Sequence, residues 1–366
     1  MPFPNIDPIP LPAPVWLFKV LHMVTLSLHF VAVNLLIGGL LLATVWNLVA
    51  KSKKAQAEAA KAIAIRLPIV MTYVINLGVP PLLFAQVLYG RALYTSSILI
   101  GLYWIGVILL LMFGYYLLYQ VAKRAEEGKT WWWLSLVSLL VISYIARIYT
   151  ANMTLMLRPE VWLEMYRSSA IGAQMPTGDP TVLPRWLMMM VSSLTLTGVA
   201  VTVLAASSKS LSLEAKNLLR SWGAAVALIC LIAEAAIGLW LWQVQPAKVV
   251  ELLLGSKYLY GVYLWWGSLL LLALLVIWTK LREGALPAAV SALAAVVSVS
   301  AAVVLRDGIR DMTLLVKGLD VWQQPVVSSW SVVALFLGLF IAGLAVVGWM
   351  ISLAIGVARK GVEQNV

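Results

Sequence analysis

Nine runs of apolar residues set the terms for this chain. They lie at roughly 16–48, 68–92, 97–122, 131–150, 184–206, 219–243, 259–279, 286–305 and 328–357. A bilayer core of about 30 Å needs about 20 apolar residues at 1.5 Å each to be crossed by a helix. Lipid offers the backbone no hydrogen-bond partners, so runs of this length must close their own bonds as helices. The expected fold is an all-α integral membrane protein, a bundle of about nine transmembrane helices forming one domain over 1–366. Composition agrees: 62% of the 366 residues are hydrophobic and 11% charged, against about 25% charged in soluble domains. Soluble, disordered and nucleic-acid-binding classes are excluded. The net charge of +11 comes from basic residues in short loops between apolar runs, which marks topology rather than a phosphate-binding face.

Orientation follows from those basic residues. With nine spans the loops alternate between two sides, and one side collects Lys51, Lys53, Lys54, Lys61, Arg66, Lys123, Arg124, Lys129, Lys209, Lys216, Arg220, Lys280, Arg282, Arg359 and Lys360. The positive-inside rule puts that side in the cytoplasm, with the C-terminus there and the N-terminus outside. The other side carries the long connections, at 151–183, 244–258 and 306–327, and long connections are where sites and partners are usually found. The Pro-rich start and the long first run do not read as a cleavable signal peptide. Trp131, Trp132, Trp133, Trp265 and Trp266 read as interfacial belts. A kink is expected at Pro80–Pro81, with Tyr89, Gly90 and Arg91 ending the second span.

Few residues carry chemistry. A single cysteine, Cys230, excludes a disulfide framework, Cys-rich metal sites and covalent c-type haem attachment. The two histidines, His22 and His29, are seven apart, so they share a helix face about 10 Å from one another. An intramembrane histidine is costly and serves haem ligation, proton transfer or a buried hydrogen bond. One helix cannot supply both axial ligands of one haem, so each histidine is at most one ligand, with the other position open or filled by a methionine. Met188 and Met189 are candidates, although methionine is more often packing. Glu234 and Arg147 interrupt apolar runs at matching depth, and an ion pair between them is expected, either structural or part of a proton or quinone site. Lys248 and Glu251 open the third outer connection. Arg306, Asp307, Arg310 and Asp311 open the fourth, either as a solvated helix end or as a docking and quinone-headgroup site.

Several of these segments, in this order, resemble subunit I of the cytochrome bd quinol oxidases. His29-Phe30 followed by Gly38 is similar to the family's helix-one pattern. Gly78 to Gln86 is similar to its Gly-Val-x-x-Gly-Ile stretch. Ala151-Asn152 with Arg158-Pro159 resembles its loop after helix four, and Trp186 to Gly198 its fifth helix. Gln245-Pro246-Ala247-Lys248 resembles the opening of its quinol-binding loop, and Arg306 to Gly318 its Glu-x-Gly-Arg-Gln-Pro-Trp segment. The resemblance implies that His29 is an axial ligand of a haem b near the outer surface. It also implies a quinone or quinol substrate contacted by Lys248 and Glu251, and a bacterial or archaeal cytoplasmic membrane.

The family's helix-five histidine falls on Met188–Met189, its helix-three glutamates have no counterpart in 97–122, and its quinol loop is cut to about fifteen residues. What the resemblance implies is therefore a divergent relative that does not reduce oxygen. Such a chain would be a membrane subunit of a respiratory redox complex, passing electrons between the quinone pool and an outer-side c-type cytochrome, alongside other membrane subunits. The alternative is a cofactor-free anchor that docks an outer-side redox protein.

Overall fold

The computed structural model describes residues 3, 9–50 and 53–363, with side chains at all of these but 351 and 354–363. Lys51, Arg359 and Lys360, part of the expected cytoplasmic charge, fall outside what is described in full. Among the described residues, nine helices are long and apolar enough to cross a membrane. In chain order the helices are α1 (Val15–Val49), α2 (Lys54–Ala64), α3 (Leu67–Leu99), α4 (Gly101–Glu126), α5 (Trp132–Leu155) and α6 (Pro159–Ser168). They continue with α7 (Val182–Ser207), α8 (Leu213–Gln243), α9 (Ala247–Leu254), α10 (Leu259–Leu281), α11 (Ala285–Val316) and α12 (Trp330–Glu363).

Contacts divide the chain into two units. The larger runs from Lys19 to Val321, with Phe3, and holds α2 to α11 and most of α1. The smaller joins 9–18 to 322–363. In it, Leu11 N donates to Pro325 O at 2.7 Å, and Val327 N to Leu11 O at 2.9 Å, just ahead of α12.

Lipid gives helices little hydrophobic reason to associate, so close packing and polar contacts between helices hold such a bundle. The α7–α8 crossing shows the packing term. A Cβ on Gly198 would lie 2.6 Å from Gly223 O, and one on Gly223 would lie 2.5 Å from Gly198 O. Only paired glycines allow the backbones this close. Short polar side chains add the second term. Thr44 and Ser135 hydroxyls meet at 2.7 Å between α1 and α5, Asn152 donates to Ser97 at 3.0 Å between α5 and α3, and Thr279 meets Ser291 at 2.7 Å between α10 and α11.

Three expectations are corrected here. The charges at 306–311 do not begin a connection: α11 continues to Val316, and Asp307, Arg310 and Asp311 are buried within it. The helical run of α3 passes through Pro80 and Pro81, and its non-helical residue is Tyr89 (φ −128°, ψ 21°). Trp131 and Trp265 are not belt residues, being 2% and 5% exposed. The backbone N–H groups of Trp131 and Trp132 donate to Asn47 Oδ1 at 3.0 and 2.8 Å, which caps the start of α5 from α1. Trp265 packs onto Gly238 of α8.

Candidate functional site

A cavity of about 600 Å3 lies within the larger unit, lined by residues of α1, α3, α4, α5, α7, α8, α9, α10 and α11. That volume is within the 300–1,000 Å3 range of small-molecule and cofactor sites. Its walls are largely apolar, with Leu26, Phe30, Leu82, Trp242, Trp265 and Trp266 among them. Six residues singled out from sequence reach it: His22, His29, Met188, Met189, Arg306 and Arg310. Positions 22 and 29 are two helical turns apart on α1, and both histidines face this space, as the spacing requires.

The histidines differ in what their rings have left to offer. His29 Nδ1 is 3.1 Å from Val74 O. A carbonyl only accepts, so Nδ1 carries the proton and Nε2 keeps its lone pair. A backbone carbonyl on one ring nitrogen is the usual way a metal-ligating histidine is oriented. Gly78 makes room for the ring, since a Cβ there would lie 2.9 Å from His29 Cε1. His22 is fully engaged. Its Nδ1 lies 3.0 Å from Pro81 O, which again fixes the proton on Nδ1, and its Nε2 accepts from Arg310 Nη1 at 3.1 Å. Of the roles open to His22, the structure favours the buried hydrogen bond, because ligation would require Arg310 to withdraw.

Behind His22 lies a buried ionic network. Lys19 Nζ donates to Tyr89 Oη at 2.7 Å and to Asp307 Oδ2 at 3.0 Å, and it also pairs with Asp311. Tyr89 Oη donates to Asp307 Oδ1 at 2.9 Å, and Tyr258 Oη bonds Asp311. Arg310 stands 3.6 Å from Asp307 and stacks over the Tyr89 ring at 4.7 Å. Lys19, Asp307, Arg310 and Asp311 are each 1–3% exposed. Two cations and two carboxylates cancel, which offsets the cost of burying each. At the edge of the network Lys257, outside the spans, is pushed below the ordinary lysine value by partial burial, against the pull of Asp311.

Lys19, Tyr258 and Arg185 were not read from the sequence, and Tyr89 was read only as part of the end of the second span. Lys19 carried a signal, being a lysine inside the first apolar run, three residues before His22 and so on its face. Tyr258 was one of 13 tyrosines, and nothing local sets it apart. Arg185, near the start of α7, lines the cavity beside Arg306.

The remaining expected residues lie elsewhere. Arg147 and Glu234 form no ion pair among the described residues. Glu234 is 5% exposed and accepts a hydrogen bond from Thr195 across the α7–α8 contact. Arg147 keeps a buried Nη1 with no hydrogen-bond partner. Equal depth placed them at one level, but the carboxylate is satisfied by a neighbouring hydroxyl instead. Lys248 and Glu251 are exposed and pair with one another at 2.9 Å, one helical turn apart on α9, and neither lines the cavity. No group of three or more His, Cys, Asp or Glu side chains suited to a metal ion occurs among the described residues.

No protein-family model matches the chain, and no curated protein does.

Proposed function

We propose that the chain is a membrane subunit of a respiratory redox complex, with the cavity holding a haem b on His29. The observation that carries this reading is the state of that side chain. Val74 O orients the ring and fixes its tautomer, and Nε2 is left as a donor beside an apolar space of about 600 Å3. Met188 or Met189, on α7 and lining the same cavity, would offer a thioether as a further ligand to its iron. A haem so held supplies one-electron transfer. The chain's own part is to exclude water with its Trp and Leu walls, and to hold the His29 ring in place.

In this reading the N-terminus and the end of the bundle carrying α9 face the outside. Lys248 and Glu251, exposed there, offer a donor and an acceptor to a quinol headgroup. Buried Glu234 is the group suited to proton chemistry, with half-buried Arg147 as a fixed positive charge. Electrons would pass to a c-type cytochrome on the same side. A second reading, the cofactor-free docking anchor, is favoured by α6, whose Leu163 and Tyr166 are 48% and 67% exposed beside Glu164 and Arg167.

The reduced-minus-oxidised spectrum of the purified chain separates the two. The first reading expects b-type Soret and α bands that His29→Ala abolishes and His22→Gln leaves in place. A colourless chain that still co-purifies with a redox protein selects the anchor.

A further inference from the structure

Two cations of the cavity form no ion pair among the described residues. The ionic network accounts for Lys19 and Arg310 through Asp307 and Asp311. Arg185 and Arg306 remain. Both line the cavity, and no Asp or Glu does. Arg185 Nε donates to Thr181 Oγ1 at 3.2 Å, and neither guanidinium forms an ion pair among the described residues. Arg306 lies over an aromatic face, with its Cζ 5.6 Å from the centre of the Phe30 ring. A guanidinium facing an apolar space is costly without an anion. Its fixed fork of donors matches a carboxylate or phosphate, and such charge-assisted bonds are strong away from water.

We propose that the cavity binds an amphiphile with an acidic head, whose apolar body fills the aromatic-lined space and whose carboxylate or phosphate is clamped by Arg185 and Arg306. The proposal rests on the cavity being a ligand site, which it shares with the reading above, but not on iron ligation by His29. Two sources share this chemistry, the propionates of a haem and the head of an acidic membrane lipid.

The test compares free acids with their neutral esters on the purified full chain in non-ionic detergent. The probes are hemin against hemin dimethyl ester, and palmitic acid against methyl palmitate. The wild-type chain is expected to bind at least one acid roughly tenfold more tightly than its ester. The double variant Arg185→Gln, Arg306→Gln is expected to bind acid and ester alike, while Arg306→Lys, which keeps the charge, retains part of the preference. Lys129→Gln, exposed between α4 and α5 and outside the cavity lining, serves as a remote control that keeps the full preference. Equal binding of acid and ester by the wild type overturns the clamp, as does a preference that survives in the double variant. If that variant fails to fold, the wild-type comparison and Arg306→Lys still decide. The outcomes also separate the two readings. Palmitate discrimination without hemin binding removes the haem and leaves the clamp. Hemin that binds through His29 equally well as its dimethyl ester, with no preference for palmitic acid over methyl palmitate, removes the clamp and leaves the haem.

Discussion

Lys19 donates to Tyr89 and to both Asp307 and Asp311 at 1% exposure, so Lys19→Met would leave two buried carboxylates facing each other across a tyrosine. Removing one partner of a buried ion pair typically costs about 3–5 kcal/mol, because the uncompensated charge stays in low dielectric. The variant is expected to melt well below the wild type in detergent. Lys19→Met with Asp311→Asn should cost less than the two single changes added together, since the second removes a charge the first left stranded. A Lys19→Met melting point equal to the wild type would show that the network bears little stability. At this scale the sequence was partly legible. His22 and His29 were the only histidines in an apolar run, and their spacing gave them a shared face. The partners of His22 were not legible: Arg310 is 288 positions away, and only the fold sets the two side by side. The same distance hid the meaning of Asp307 and Asp311. A dense charge cluster reads as a solvated helix end when its cancelling lysine lies on another helix.

At the scale of elements, periodicity and length located the spans, because the bilayer fixes both. Their ends were less legible wherever a local signal competed with a distant one. α11 runs on to Val316 since its charges are neutralised from α1. α3 continues past Pro80 and Pro81, and the break in its dihedrals comes at Tyr89, whose hydroxyl is tied to the network. The α7–α8 contact gives a sharper test. Gly198→Ala places a methyl group against Gly223 O and Ala227 N, at 2.6 and 3.0 Å, and backbone atoms cannot rotate away. The helices must separate, and overpacking of this kind typically costs about 1–3 kcal/mol. Gly106→Ala on α4 is the matched control, because a Cβ there meets nothing within 4 Å, and alanine is favoured over glycine in a helix by about 1 kcal/mol. Thermal unfolding should therefore shift down for the first variant and stay level or rise for the second. A Gly198→Ala chain as stable as its Gly106→Ala counterpart would mean that the close crossing does not hold the two helices.

For the whole molecule, the orientation of the bundle decides which side any partner approaches. Short basic loops are typically retained in the cytoplasm; the proposed orientation has Lys129, between α4 and α5, on that side and Lys248, on α9, on the other. Both side chains are 59% exposed, so a reagent that reaches their side will find them. The chain is suited to the measurement because its single cysteine, Cys230, is buried. With Cys230→Ser as background, Lys248→Cys is expected to react with a membrane-impermeant maleimide in intact cells. Lys129→Cys should react only after the membrane is opened. The reverse pattern would turn the molecule over, moving α9 with Lys248 and Glu251 to the cytoplasmic face and removing the outer-side cytochrome as electron partner. It would leave untouched both the His29 geometry and the Arg185–Arg306 clamp, since these depend on packing inside the bundle and not on which side of the membrane its ends face.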